Sequence, residues 1–387
     1  MINCFDERKK MYHFDVRYSK LYKKSNIKGI SPLFLDEKMD ILTVEGGVIL
    51  ANHPVNNKTY GLGGVLDVEG RFVKESGFSL CMYDNEQLDW GGSYSYDEKQ
   101  LLVKREKVIF GGFINNNEWG HFLVDWCTRL WYALIDQESK IVFCIRGNVK
   151  YELLPNIEQL IQLSGINTKR IELIAEGEPP IKYDTIAIPQ CSLTSRGYTK
   201  EYLDFFNRIV NNVSGLDCQT YEKIYFTRTQ LESSKEIGES KLERFFEKNG
   251  YKVLAPEKLS AVEQIHYISN CKYMACIEGS AAHNIIFGKE GTRLYILEKW
   301  MTINIRQLFL SQASGSDTCF IMAYPTFLPF REYFGELFVV GTTKMFRKWA
   351  KENYGQKVEC KTNWLRQYIQ YFDRIMQKIA YKLINLV

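Results

Sequence analysis

Hydrophobic positions change their spacing along this chain. From Ile41 to Phe113 they fall in short alternating runs, Ile41 to Leu50, Gly64 to Val73, Phe78 to Met82 and Val108 to Phe113, broken by the glycine pairs Gly46-Gly47, Gly63-Gly64 and Gly91-Gly92. Period-two runs interrupted by glycine predict strands joined by turns or bulges. Residues 1 to about 35 show no clear period, and no element is assigned to them. After Phe113, strand and helix patterns alternate. Ile141 to Ile145, Ile171 to Ile174 and Thr185 to Ile188 read as strands, Leu153 to Ser164 and Lys200 to Val213 as helices, and the polar stretch Ser214 to Glu222 as a linker.

A second series follows. Ile224 to Phe226, Tyr251 to Leu254, Tyr273 to Ile277 and Arg293 to Leu297 are strand-like, while Ser240 to Asn249 and Ala261 to Ser269 have helical spacing. Strands alternating with helices imply a parallel sheet covered on both faces. From Trp364 to Val387 apolar residues mark one helical face. Together these patterns predict an α/β chain with a strand-rich start, a boundary near residue 215 and a helical tail.

Two segments carry candidate chemistry. In Asn115 to Leu130 the apolar residues Phe122, Trp126 and Leu130 recur every four positions, as do Asn117, His121, Asp125 and Arg129. On a helix the second set forms one polar stripe. A carboxylate beside an imidazole makes a workable general base, whereas on an arbitrary helix the same stripe would be a solvated face. The other segment is Cys276 to Phe287, where an apolar run ends in Gly279, Ser280, Ala281 and Ala282. A strand that turns into a helix through such small residues offers backbone N–H groups to a phosphate, or is simply a tight turn. Arg228, at the end of the first strand of this series, would hold a diphosphate from the other side, a reading favoured over a surface ion pair. Glu298 would meet ribose hydroxyls or merely cap a loop, and Glu278 a sugar hydroxyl, a cation or His283.

Composition narrows the classes. The 387 residues suffice for two cores, and 45% hydrophobic with 25% charged is ordinary for a globular chain. A net charge of +4 is too small to argue for nucleic acid, and no G-x-G-x-x-G or Walker A motif is present. Ten scattered cysteines and a charged N-terminus lacking an apolar h-region point to reduced thiols and a cytoplasmic location without a signal peptide. No apolar run reaches membrane-spanning length. The tail is more basic than the rest: residues 331–387 hold 11 Lys plus Arg against 5 Asp plus Glu. Its helix suits either a peripheral position on the inner face of an anionic membrane or packing across two domains.

The segments Asn117 to Leu130, Tyr225-Phe226-Thr227-Arg228 with Gly238-Glu239, Pro256 to Ser260 with Glu263-Gln264, and Gly279 to Asn284, taken in that order and spacing, resemble glycosyltransferase family 61, including its bacterial capsule and surface-polysaccharide members. The resemblance runs from about Val108 to Glu298. It implies a GT-B-like fold, two Rossmann-like domains facing a central cleft: 1–215 on the acceptor side, 216–330 binding a nucleotide sugar, and 331–387 as a basic amphipathic tail. It further implies inverting transfer to a hydroxyl of a glycan or lipid-linked glycan. Asp125 or His121 would be the base, with Asp125 ahead because it stays ionised. Arg228, Glu239, Gly279, Ser280, Ala281, Ala282, His283, Asn284 and Glu298 would contact the donor, with Asn117, Arg129 and Glu278 near the acceptor or unassigned. Many relatives have His where Glu278 stands. The chain has no Asp-x-Asp triplet, so no metal or other cofactor is expected. A non-catalytic docking protein of a polysaccharide assembly complex with the same fold is the alternative.

Overall fold

The structure is a computed structural model that describes residues 2–5, 11–19, 34–56, 60–78, 88–114, 118–147, 152–215, 218–231, 236–300, 304–325, 337–355 and 361–384. The chain forms two compact units, Leu33–Gly215 and Met1–Pro32 with Leu216–Val387. The opening strands β1 (Ile2–Phe5) and β2 (Met11–Tyr18) thus belong with the C-terminal half, where no element was expected of them. The β2 signal is a short period-two run between charged flanks: Phe14, Val16 and Tyr18 are buried and Arg17 is exposed.

In the unit Leu33–Gly215, strands β3 (Ile41–Glu45), β4 (Val48–His53), β5 (Leu62–Leu66), β6 (Leu102–Ile114), β7 (Lys140–Ile145), β8 (Ile171–Ile174) and β9 (Ile181–Pro189) make one mixed sheet. Its order is β5-β4-β9-β6-β7-β8, with β3 also on β9. The strands β9, β6, β7 and β8 run parallel, and β3 and β4 pair antiparallel to β9. The expected glycine bulge is real: Gly63 has φ +126°, and a Cβ there would sit 2.5 Å from the Ala51 carbonyl oxygen. Helices α1 (Pro155–Leu163) and α2 (Lys200–Val213) follow; α2 buries Tyr202, Phe205, Phe206, Ile209 and Val213 along one face.

The other unit adds β10 (Lys223–Phe226), β11 (Lys252–Leu254), β12 (Tyr273–Ile277), β13 (Arg293–Glu298) and β14 (Asp317–Met322), the last unforeseen from the sequence. The sheet order is β1-β2-β14-β13-β12-β10-β11. All pairs are parallel except β1 with β2. Beyond the two opening strands, the chain lays down its second strand on one side of the first and its third on the other. In such a doubly wound sheet, the strand ends at that reversal open a crevice, here after β10 and β12.

Helices α3 (Glu239–Lys248), α4 (Ala261–Asn270), α5 (Ile305–Ala313), α6 (Lys344–Tyr354) and α7 (Trp364–Ile384) complete this unit. A Ser260/Glu263 capping box starts α4, so the Ser-x-x-Glu pattern there is a structural signal. Phe346 and Trp349 of α6 share a core with Tyr225, Phe246 and Leu297. On α7, Tyr368, Tyr371 and Ile375 pack on Ile237, Leu337 and Val339. Of residues 331–387, expected as a basic amphipathic tail, the described parts 337–355 and 361–384 lie within this unit. No helix among the described residues is long and apolar enough to cross a membrane.

Candidate active site

The polar stripe after β6 does not lie on a regular helix. Trp119–His121 makes one α-turn, Phe122–Trp126 a π turn, and Cys127–Arg129 a 3-10 turn. Aromatic packing fixes this path: Phe122 meets Phe205 and Trp126, and Trp126 lies edge-on to Phe143 of β7. The Tyr202 hydroxyl donates to the Leu123 carbonyl at 2.7 Å. Irregular turns of this kind recur at functional sites. The result differs from a solvated face, because Asp125 and Arg129 are both turned inward.

His121 Nδ1 lies 2.5 Å from Asp125 Oδ2. The Asp125 side chain is 0% exposed and that of His121 35%. An ionised carboxylate only accepts, so the contact assigns the proton to Nδ1 and makes Nε2 the basic nitrogen. Of the two residues expected as base, Asp125 is the enclosed member and the imidazole the outward one. Arg129 serves the scaffold. Its guanidinium donates to the Pro189 and Glu75 carbonyls, tying the turn to β9 and to the 74–76 loop. Asn117 lies outside the described residues.

In the other unit, parallel pairing brings the C-terminal ends of β10, β12 and β13 to one rim, so that Thr227-Arg228, Glu278-Gly279 and Glu298-Lys299 follow one another across the sheet. Arg228 does not stand open. Its Nε donates to Glu236 Oε2 at 3.0 Å, and Lys299 Nζ donates to the other oxygen at 2.8 Å. The Glu236 side chain is fully buried, so one carboxylate holds two cations from different strands. Burial alone would raise its pKa, but Lys299 and Arg228 outweigh that and hold it below the usual range. Lys299 Nζ would lie 3.7 Å from a Cβ on Gly279, which has φ +142°.

Glu239 sits beneath Arg228. Its Oε1 accepts from the Arg228 amide at 3.0 Å and from the Tyr225 hydroxyl at 3.1 Å. It is a support for the Arg228 loop, with burial raising its pKa to about 7 despite these bonds. At the end of β13, Glu298 Oε1 accepts from Ser19 Oγ at 2.6 Å, and Oε2 is buried with no hydrogen-bond partner. Burial, with a smaller push from Glu278, lifts its pKa to about 8. The Glu278 carboxylate accepts from the Lys299 amide at 3.3 Å.

The small-residue turn is only partly what its sequence suggested. Ser280–His283 is a single helical turn of four residues, too short for a macrodipole to count. Glu278, Gly279 and Ser280 are half-buried, whereas Ala281, Ala282 and Asn284 are core residues. His283 is buried against α5: its Nδ1 meets Gln307 Oε1 at 2.8 Å, and Gln307 Nε2 donates to the Ala282 carbonyl at 3.1 Å. That fixes the amide, so Nδ1 is the donor. These three side chains shape the turn from within.

Residues 119–295 match the family model described as Glycosyltransferase 61. The matched stretch is a little under half of the chain. It begins at the turn that carries His121 and Asp125, includes Arg228, Glu236, Glu239 and Gly279, and stops just before Glu298 and Lys299. No curated protein matches the chain. Sequence reasoning missed Glu236 and Lys299. Lys299 had a signal, since it directly follows a strand whose end reaches the rim; Glu236 had none, because a two-residue bridge with Phe338-Val339 places it.

Proposed function

We propose that the protein is a glycosyltransferase that moves a sugar from a nucleotide-sugar donor to a hydroxyl of a glycan acceptor. The observation that carries this is the pairing of buried Asp125 with half-exposed His121 inside the stretch similar to family 61. The similarity itself argues for glycosyl transfer. The finer account, a GT-B-like enzyme of surface-polysaccharide synthesis acting with inversion and without metal at the cytoplasmic face of a membrane, is ours.

In this account His121 Nε2 removes the proton from the acceptor hydroxyl while Asp125 holds the ring and stabilises the imidazolium. The acceptor oxygen forms its bond to the anomeric carbon as the bond from that carbon to the diphosphate oxygen breaks on the opposite face. The leaving nucleoside diphosphate takes the electron pair. Arg228 and Lys299, held together by Glu236, would stabilise that charge, which is the role a metal held by an Asp-x-Asp triplet would otherwise fill. The half-buried Gly279 leaves room for a phosphate beside Lys299.

A thermal-shift screen against UDP-, GDP-, CMP- and dTDP-sugars, with and without EDTA, tests the donor half. A ligand that binds only the folded state raises its apparent stability. A shift with one nucleotide that survives EDTA is expected. A shift abolished by EDTA would remove the metal-free account, and no shift with any donor would turn the argument toward a non-catalytic docking protein.

A further inference from the structure

Helix α7 has two apolar faces, and only one of them is covered. Tyr368, Tyr371 and Ile375 pack on their own unit. A second stripe remains in solvent: Leu365 is 72% exposed, Ile369 60%, Phe372 44%, Met376 63% and Ile379 41%. These positions are spaced by alternating steps of four and three. That is the 3.5-residue repeat with which one helix meets another along a seam, and it places the five residues at d and a positions. Single exposed apolar side chains need no explanation, but five in one register form a continuous strip.

Charges beside the strip point to its occupant. In this register Arg366 and Asp373 take two successive e positions and carry opposite signs. Set a second α7 antiparallel, with Ile369 of one copy opposite Phe372 of the other. Leu365 then falls opposite Met376, and each Arg366 lies beside the Asp373 of the other copy, so that both pairs form at once under two-fold symmetry. A parallel pair would instead place e against g, setting Arg366 and Asp373 beside Tyr368 and Ile375 and not beside each other. An anionic membrane suits the strip less well. Arg374 projects about 180° from Leu365 on the helical wheel, and the one described cation bordering the strip, Arg366, has an acid as its neighbour one heptad on.

We propose that this strip is a self-association surface, occupied by α7 of a second copy of the chain in antiparallel orientation. The proposal stands apart from any catalytic role. Sedimentation equilibrium of the full chain should show a dimer. Phe372→Glu should be monomeric; because Phe372 also meets the Tyr371 ring, Met376→Glu, at a position 63% exposed, should be monomeric as well, with thermal unfolding at low concentration close to that of the parent. Arg366→Glu and Asp373→Arg should each weaken association roughly tenfold, and the two together should restore it. A monomeric parent chain would overturn the proposal, as would a dimer that Phe372→Glu leaves intact. Flotation with vesicles containing phosphatidylserine, lost in Phe372→Glu in a chain that is otherwise monomeric, would give the strip to a lipid surface instead.

Discussion

Two buried glutamate or aspartate side chains each hold a candidate functional cation or base, and they do so by different routes. Asp125 meets a histidine four residues away on its own turn, and the pair is local. Glu236 meets Arg228 and Lys299, which arrive at the ends of two different strands, so this cluster exists only when the sheet is formed. The local pair couples a fully buried carboxylate to an exposed ring and is poised for proton transfer. In the non-local cluster one buried carboxylate holds two cations, with Glu278 beside them on the same rim. In the proposed function the first would act on a proton and the second would hold an anion.

The sharpest way to break this contrast is His121→Asn, which removes the outward base and leaves the core beneath it. Turnover should fall about 10³-fold while nucleotide-sugar binding persists. Asp125→Asn should lose about 10²-fold, with the remaining activity shifted in its pH profile because the ring is no longer held in one tautomer. Turnover unaffected by either change would remove the dyad from the chemistry. Next in size is Glu236→Ala. Leaving two cations facing each other without their shared carboxylate should lower stability by about 2 to 3 kcal/mol in chemical denaturation, the modest end of the range because the Arg228 and Lys299 side chains keep some contact with solvent.

Lys299→Met should weaken binding of the free nucleoside diphosphate about tenfold, measured by calorimetry, and leave a nucleoside lacking phosphates unaffected. An equal loss for both ligands would show that Lys299 acts through the fold and not on the anion. A further prediction is one of pH. Glu298 has a pKa of about 8 in the folded chain against 4.5 for the unconstrained group. The folded state then binds more protons than the unfolded chain across that interval. Its contribution to stability is complete below about 4.5 and is lost as pH rises through 8, on the order of a few kcal/mol. Glu298→Gln should flatten that part of the stability curve, and a curve unchanged by the substitution would show that Glu298 is ionised throughout.

Much of the scaffold was legible because periodicity survives in short windows. The βα series from Lys223, the helices α2 and α4, and the strand before Gly279 follow directly from where apolar residues recur. The His121–Asp125 contact was legible for the same reason, since four-residue spacing brings two side chains together on an α-helical or similar turn. Other features needed the third dimension. The segment Ala281 to Phe287 looked like the start of a helix, yet it closes after a single turn and continues as 3-10, with Ile285, Ile286 and Phe287 all in the core. In α7 the sequence shows one broad apolar face, but packing divides it into a buried edge and an exposed strip.

By itself the sequence determined which residue types could do chemistry and which stretches could form strands or helices, because both depend on spacing along the chain. It placed His121 beside Asp125, and Arg228 and Gly279 after apolar runs. Tertiary structure decided the roles. Burial of Asp125 leaves the imidazole as the outward group, the sheet brings the ends of β10 and β13 together so that Arg228 and Lys299 share a carboxylate, and Phe14, Val16 and Tyr18 of β2 join a sheet whose strands beyond β1 lie two hundred residues or more further on. Burial, shared counter-charges and strand partners are relations between distant segments, and no local pattern encodes them.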